Sequence, residues 1–166
     1  PLVARIAENP RLFQYLTFAS VPPRVVIGDA RVSLERDSEE LFDVLIIDAF
    51  SSDAIPTHLL TREAVSLYRS RLAPDGIIAW HISNEHVDLR PVLDALARDA
   101  GLIALIDSDM NVPHESFGRF PSIWIATTAS DRTASAIRSD SGWLPLHTAR
   151  PQLWTDDFSN LFRVLR

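Results

Sequence analysis

The sequence predicts an α/β three-layer sandwich built on a largely parallel sheet. Runs such as Val44-Leu45-Ile46-Ile47 are apolar without alternation, as suits a strand covered on both faces. Between such runs lie segments whose apolar residues recur at helical spacing. The two kinds of segment alternate along the chain, which is the pattern of strand–helix–strand crossovers.

The elements follow in order. The first 20 residues read as helical, with Leu2, Val3 and Ile6 on one face. Asn9-Pro10 forms a cap and a helix-opening proline, and Leu12, Phe13 and Leu16 continue the period. Val21-Pro22-Pro23 stops that run. Arg24-Val25-Val26-Ile27 is short and rich in β-branched residues, so it reads as a first buried strand ending at Gly28-Asp29-Ala30. A short polar-faced helix is expected over 32–41 and a strand over 42–48. After the polar stretch 51–56 comes a helix over 61–72, with Thr61 as its cap and Ala64, Leu67, Tyr68 and Leu72 on one stripe. Pro74-Asp75-Gly76 signals a turn. A strand over 77–82, a helix over 89–100 closed by Gly101, and strands over 102–106 and 122–128 complete the alternation. Beyond Ala129 polar residues dominate. Residues 131–166 are expected as a tail packed on a domain of residues 1–130, anchored by Trp143, Trp154 and Phe162.

Composition narrows the function. A chain of 166 residues is the size of one domain and buries enough surface for a core without staples. It has no cysteine, which excludes disulfide scaffolds, thiolate zinc sites and thiol catalysis. Sixteen basic against 22 acidic residues give a net charge of −6, which argues against nucleic acid as a partner and suits a cationic small molecule. No apolar run approaches the roughly 20 residues that cross a bilayer.

In open parallel sheets, ligands gather at the carboxyl ends of strands, where helix N-termini and loop amides converge. Asp29, Asp48 and His81 (with Ser83-Asn84) stand at three such ends, and Asp53 is on the loop after Asp48. Carboxylates on neighbouring strand tips accept hydrogen bonds from an adenine amine, a ribose or an alkylammonium, and one facing an ammonium can take its proton. Each residue also has a plainer reading. Asp29 would cap the following helix, Asp53 would bond its own turn, and His81 would be a satisfied core histidine. His58, His86, His114 and His147 show no metal-ligand spacing.

Taken together, the runs Arg24-Val-Val-Ile-Gly-Asp-Ala-Arg31 and Phe42-Asp-Val-Leu-Ile-Ile-Asp-Ala-Phe-Ser-Ser-Asp-Ala-Ile-Pro56 resemble the spermidine synthase family of aminopropyltransferases. Leu59-Leu-Thr-Arg-Glu63 and Leu72-Ala-Pro-Asp-Gly76 are similar too. Trp154-Thr-Asp-Asp-Phe-Ser-Asn160 looks like the tail of a bacterial branch whose domains are attached to membrane segments.

The resemblance implies a Rossmann-like, class I methyltransferase-like fold that begins after the family's first strands and its glycine-rich turn. The five glycines here are indeed scattered, with no two within ten residues of each other. It implies that Asp29, with Ala30 beside it, contacts the adenine amino group and that Asp48 deprotonates the attacking amine. Asp53 would hold the diamine, and His81, where the family usually has Gln, would lie against the substrate. Asp48 and Asp53 stand wider apart than the family pattern, so the loop between them must bulge. The implied donor is decarboxylated S-adenosylmethionine (or S-adenosylmethionine itself), the acceptor a polyamine such as putrescine, and no metal takes part. The transfer is expected of the complete form, this chain being catalytically incomplete. A homodimer in the cytoplasm, tethered to the membrane in a longer parent chain, completes the expectation. Two other classes stay open: a class I S-adenosylmethionine-dependent methyltransferase, and a non-catalytic module that dimerises or senses polyamines.

Overall fold

The structure is a computed structural model that describes residues 2–21, 23–36, 40–50, 55–84, 86–112, 118, 120–140 and 142–166. Its chain divides into two compact units, Pro1–Asp37 and Ser38–Arg166.

In the first unit, α1 spans Leu2–Ala7 and α2 spans Ala30–Arg36. Between them the expected helix breaks up into hydrogen-bonded turns. The Asn9 side chain takes the Arg11 amide at 3.0 Å, a bond that competes with helix continuation. Residues 24–27, expected as a strand, pair with no described strand, and Val25, Val26 and Ile27 are exposed. Strand preference is largely a preference for packing beside a neighbour, and among the described residues no strand is assigned over 24–27.

The second unit holds β1 (Phe42–Ile47), β2 (Leu72–His81), β3 (Ile103–Asp109), β4 (Ser122–Thr128) and β5 (Leu144–Pro145), in the spatial order β1-β2-β4-β3-β5. Only β1 and β2 pair in parallel; β2–β4, β3–β4 and β3–β5 are antiparallel. The Rossmann-like α/β class holds, but most pairings are not parallel as expected. The reason lies in one strand. Because β4 opposes both neighbours, β1, β2 and β3 all run in one direction, and β4 is inserted between β2 and β3 in reverse. The connection before β4 carries Pro113, Gly118 and Pro121, which suit a loop rather than the crossover helix that a parallel return needs.

The Pro74–Gly76 turn signal falls inside β2. The register steps from Phe42↔Leu72 to Val44↔Ile77, so the turn residues form a bulge within the strand. Gly76 is required there, since a Cβ would lie 2.9 Å from the Phe42 carbonyl oxygen.

Three helices pack on this sheet: α3 (Arg62–Ser70), α4 (Arg90–Asp99) and α5 (Asp131–Ser139). Ile78, Trp80 and Ile125 are buried on the face where Tyr68 of α3 meets Trp80, ring centroids 5.8 Å apart. The opposite face includes Leu105 and Ala126, cross-strand partners that are both buried. That face is incompletely covered at β1, where Val44 and Ile46 are 51% and 60% exposed, contrary to the expectation of a strand buried on both sides. Helix α5 was expected as part of an irregular tail. Its signal was present in Ser130, which caps the Thr133 amide at 3.2 Å, and in Ala134 and Ile137 three apart.

The two similar motifs Leu59–Glu63 and Trp154–Asn160 interlock. The Trp154 carbonyl accepts from the Arg62 amide at 2.9 Å, Thr61 Oγ1 donates to Asp156 at 2.8 Å, and Glu63 accepts from the Asp156 amide at 2.9 Å. Thr61 also caps the Ala64 amide at 3.2 Å, so one hydroxyl serves both helix and tail. Replacing Thr61 with Val, which keeps the shape and removes both bonds, should cost about 1–2 kcal/mol in urea unfolding. An unchanged midpoint would show that the interlock contributes nothing. The tail is anchored by Trp154, Leu146 and Val164, all buried; Phe162, expected as an anchor, is 87% exposed.

A second clamp is acid-sensitive. Burial works to raise the Asp88 carboxyl, but the Arg90 guanidinium fork at 2.7 Å, the Arg90 amide and the charge of Arg166 outweigh it and hold the group below its ordinary value. The Ser130 hydroxyl, helped by Arg132, does the same for Asp75. A depressed carboxylate contributes stability that is fully present above its unfolded value of about 3.9 and is lost as pH falls through the lower folded value. D88N should therefore lose less stability than wild type on acidification below about pH 4. Urea melts across that range check it, and identical slopes would contradict it.

Candidate active site

Among the described residues, the carboxyl ends of β1 and β2 bring together two of the candidate residues. Parallel pairing sets Ile47 against Trp80, so the next residues, Asp48 just past β1 and His81 at the end of β2, stand side by side. Asp48 Oδ1 lies 2.8 Å from His81 Nδ1. The other ring nitrogen, Nε2, lies 2.7 Å from Ser83 Oγ, which in turn accepts the Ile123 amide at 2.8 Å. Ser83 reaches the ring because residues two apart in extended chain share a face. The imidazole stacks on Trp124, its cross-strand partner in β4, with centroids 4.6 Å apart and planes 18° apart.

The surroundings fix the backbone under this chain of groups. Buried Asn84 donates to the Phe50 carbonyl at 3.2 Å and accepts the amides of His86 and Val87, pinning the segment after Asp48 to the turn after β2. The Asp48 side chain is 64% exposed and His81 29% exposed, so the carboxylate meets solvent while the ring is largely covered. The site thus offers an accessible acceptor held by an imidazole, suited to taking a proton from a cationic ligand.

Of the other candidates, Asp29 belongs to the first unit, where its Oδ1 takes the Val32 amide at 3.0 Å and its carbonyl takes Ser33, the bonds of a helix cap. Ala30 opens α2. Gly28 before them adopts φ +151°, a conformation side chains disfavour. Asp53 and the 113–117 loop lie outside the described residues. Among the described residues no three His, Cys, Asp or Glu side chains come close enough to hold a metal ion, and no helix is long and apolar enough to cross a membrane. The role of Ser83 escaped the sequence, which showed it beside His81 but not that β4 supplies the amide beyond it.

The sheet with its flanking helices is Rossmann-like in architecture, and in such folds ligands gather at the carboxyl ends of the strands, where Asp48 and His81 stand. Comparison with known proteins sharpens the class. No protein-family model matches the chain. It is 36% identical over 80 residues to a polyamine aminopropyltransferase of Vibrio vulnificus (strain CMCP6), a match covering 47% of this chain and 25% of that protein. It overlays a probable spermidine synthase from Corynebacterium glutamicum ATCC 13032 with a TM-score of 0.53 and 23% identity, over 84% of this chain and 58% of the other. The chain is thus similar over 80 residues to a polyamine aminopropyltransferase and in fold to a probable spermidine synthase, and spans about a quarter of the length of that curated relative.

Proposed function

We propose that this chain carries the acceptor side of an aminopropyltransferase site, moving an aminopropyl group from decarboxylated S-adenosylmethionine to a polyamine such as putrescine. The observation that carries the reading is the exposed Asp48 carboxylate, fixed at a strand tip by His81. An alkylammonium is not a nucleophile until it loses a proton. Asp48 takes that proton, and the free amine attacks the methylene next to the sulfonium. A C–N bond forms, the C–S bond breaks with its electron pair going to sulfur, and methylthioadenosine leaves. The sulfonium already activates the carbon, so alignment and deprotonation are the protein's main tasks. Asp53 is proposed to hold the far end of the diamine, and the Asp29–Ala30 turn to contact adenine. The protein's net charge of −6 favours a cationic acceptor. A homodimer and a membrane-tethered parent belong to the same proposal.

The test supplies decarboxylated S-adenosylmethionine and putrescine and follows methylthioadenosine and spermidine together. Equimolar release of both is the expected result. Turnover of S-adenosylmethionine to a methylated product, with none of the decarboxylated donor consumed, would replace this reading with methyl transfer.

A further inference from the structure

We propose that His81 is a positioning residue: a neutral imidazole locked as its Nδ1–H tautomer, which holds the Asp48 carboxylate in one orientation. This rests on Asp48 being the base. The tautomer follows from counting donors. A backbone N–H can only donate, so Ser83 Oγ accepts from Ile123. An ionised carboxylate can only accept, so His81 Nδ1, 2.8 Å from Asp48 Oδ1, carries a proton. A neutral ring then has no proton on Nε2, which is left to accept from the Ser83 hydroxyl 2.7 Å away. The opposite tautomer would set a nitrogen lone pair against a carboxylate oxygen. The chain therefore runs one way, from amide to hydroxyl to imidazole to carboxylate, with each group satisfied.

The ring is held as well as polarised. Trp124 covers one face and shares its cross-strand position, so the imidazole cannot swing without breaking the stack. Asp48, by contrast, is mostly exposed, and left alone its carboxylate would sample several rotamers. His81 selects one of them by engaging Oδ1. Both ring nitrogens are thereby occupied, which leaves no nitrogen to bind the diamine directly. A neutral ring also avoids repelling a cationic amine.

The connectivity of hydroxyl to Nε2 and carboxylate to Nδ1 is also that of a hydrolytic Ser–His–Asp triad. Ser83 differs in that its oxygen is tied to a sheet amide and only partly exposed. The experiment separates the two. Long-range 1H–15N correlation spectra of the 15N-labelled chain, at a pH where the ring is neutral, should show a protonated nitrogen at Nδ1 and an unprotonated one at Nε2. D48A, which removes the acceptor at Nδ1, should shift that ring toward the Nε2–H form that free histidine prefers. In aminopropyl transfer, H81A and H81Q should lower kcat about tenfold with the KM for putrescine unchanged. H81N places an amide N–H near the Nδ1 position and should recover part of that loss. An Nε2–H tautomer in the wild-type spectrum, a raised KM with kcat intact in H81A, or covalent labelling of Ser83 by a fluorophosphonate would each overturn the proposal. The spectra report on the ring alone. Should D48N retain full transfer activity, the functional reading fails while the tautomer result still stands or falls by itself.

Discussion

Aminopropyl transfer by D48N is expected to fall roughly 10²–10⁴-fold, the contribution of a positioned general base. Asparagine keeps the size of the side chain and leaves an oxygen for the His81 N–H, so the relay through Ser83 and Ile123 survives. What it lacks is a site for the amine proton. The loss should therefore fall on kcat. It should shrink as pH approaches that of the free amine, because solvent then supplies deprotonated acceptor and the base becomes dispensable. A steady-state pH series with putrescine checks both features. A D48N enzyme with wild-type kcat at neutral pH would remove Asp48 from the chemistry.

Trp154→Ala is expected to cost about 3–5 kcal/mol, the usual penalty for deleting a large buried aromatic. For a chain of this size that lowers Tm by roughly 10 °C or more. Trp154 is fully buried, and its carbonyl receives the Arg62 amide at the start of α3. Losing the ring therefore loosens the helix that backs Trp80 through Tyr68. The indole N–H is buried without a partner among the described residues, so Trp154→Phe should retain most of the stability. Calorimetry on both variants tests the pair. A W154A protein that melts with wild type would mean that residues 131–166 are an ornament rather than part of the fold.

Much of the scaffold was legible because it rests on local signals. Thr61 announces the start of α3 through a cap, Gly101 follows α4 in a left-handed turn at φ +65°, and the apolar run at 122–128 became β4 residue for residue. Errors came where a partner decides. Arg24–Ile27 has the composition of a strand but is not assigned to one among the described residues, while Pro74-Asp75-Gly76 has the composition of a turn and became a bulge because β1 pairs on both sides of it. Helix α5 was hidden by polarity: with Ala134 the buried residue of its nine, it shows little apolar stripe.

The site divides in the same way. Asp48 and His81 were recognisable as strand-end residues, since both follow apolar runs. Their contact depends on the parallel register of β1 and β2, and the Ser83–Ile123 bond on the reversed strand β4, neither of which is written in residue spacing. Asp29 was legible in its plainer reading: an aspartate ahead of a helix can cap it, and Asp29 Oδ1 takes the Val32 amide at the start of α2.

The central claim is that Asp48 faces the amine. A crystal structure with putrescine and methylthioadenosine bound tests it most directly. One amine nitrogen should sit within hydrogen-bond reach of Asp48 Oδ2, with His81 still on Oδ1 and the methylthio sulfur beyond the amine. A diamine seated elsewhere, with the Asp48 carboxylate turned to bulk water in the complex, would contradict the account.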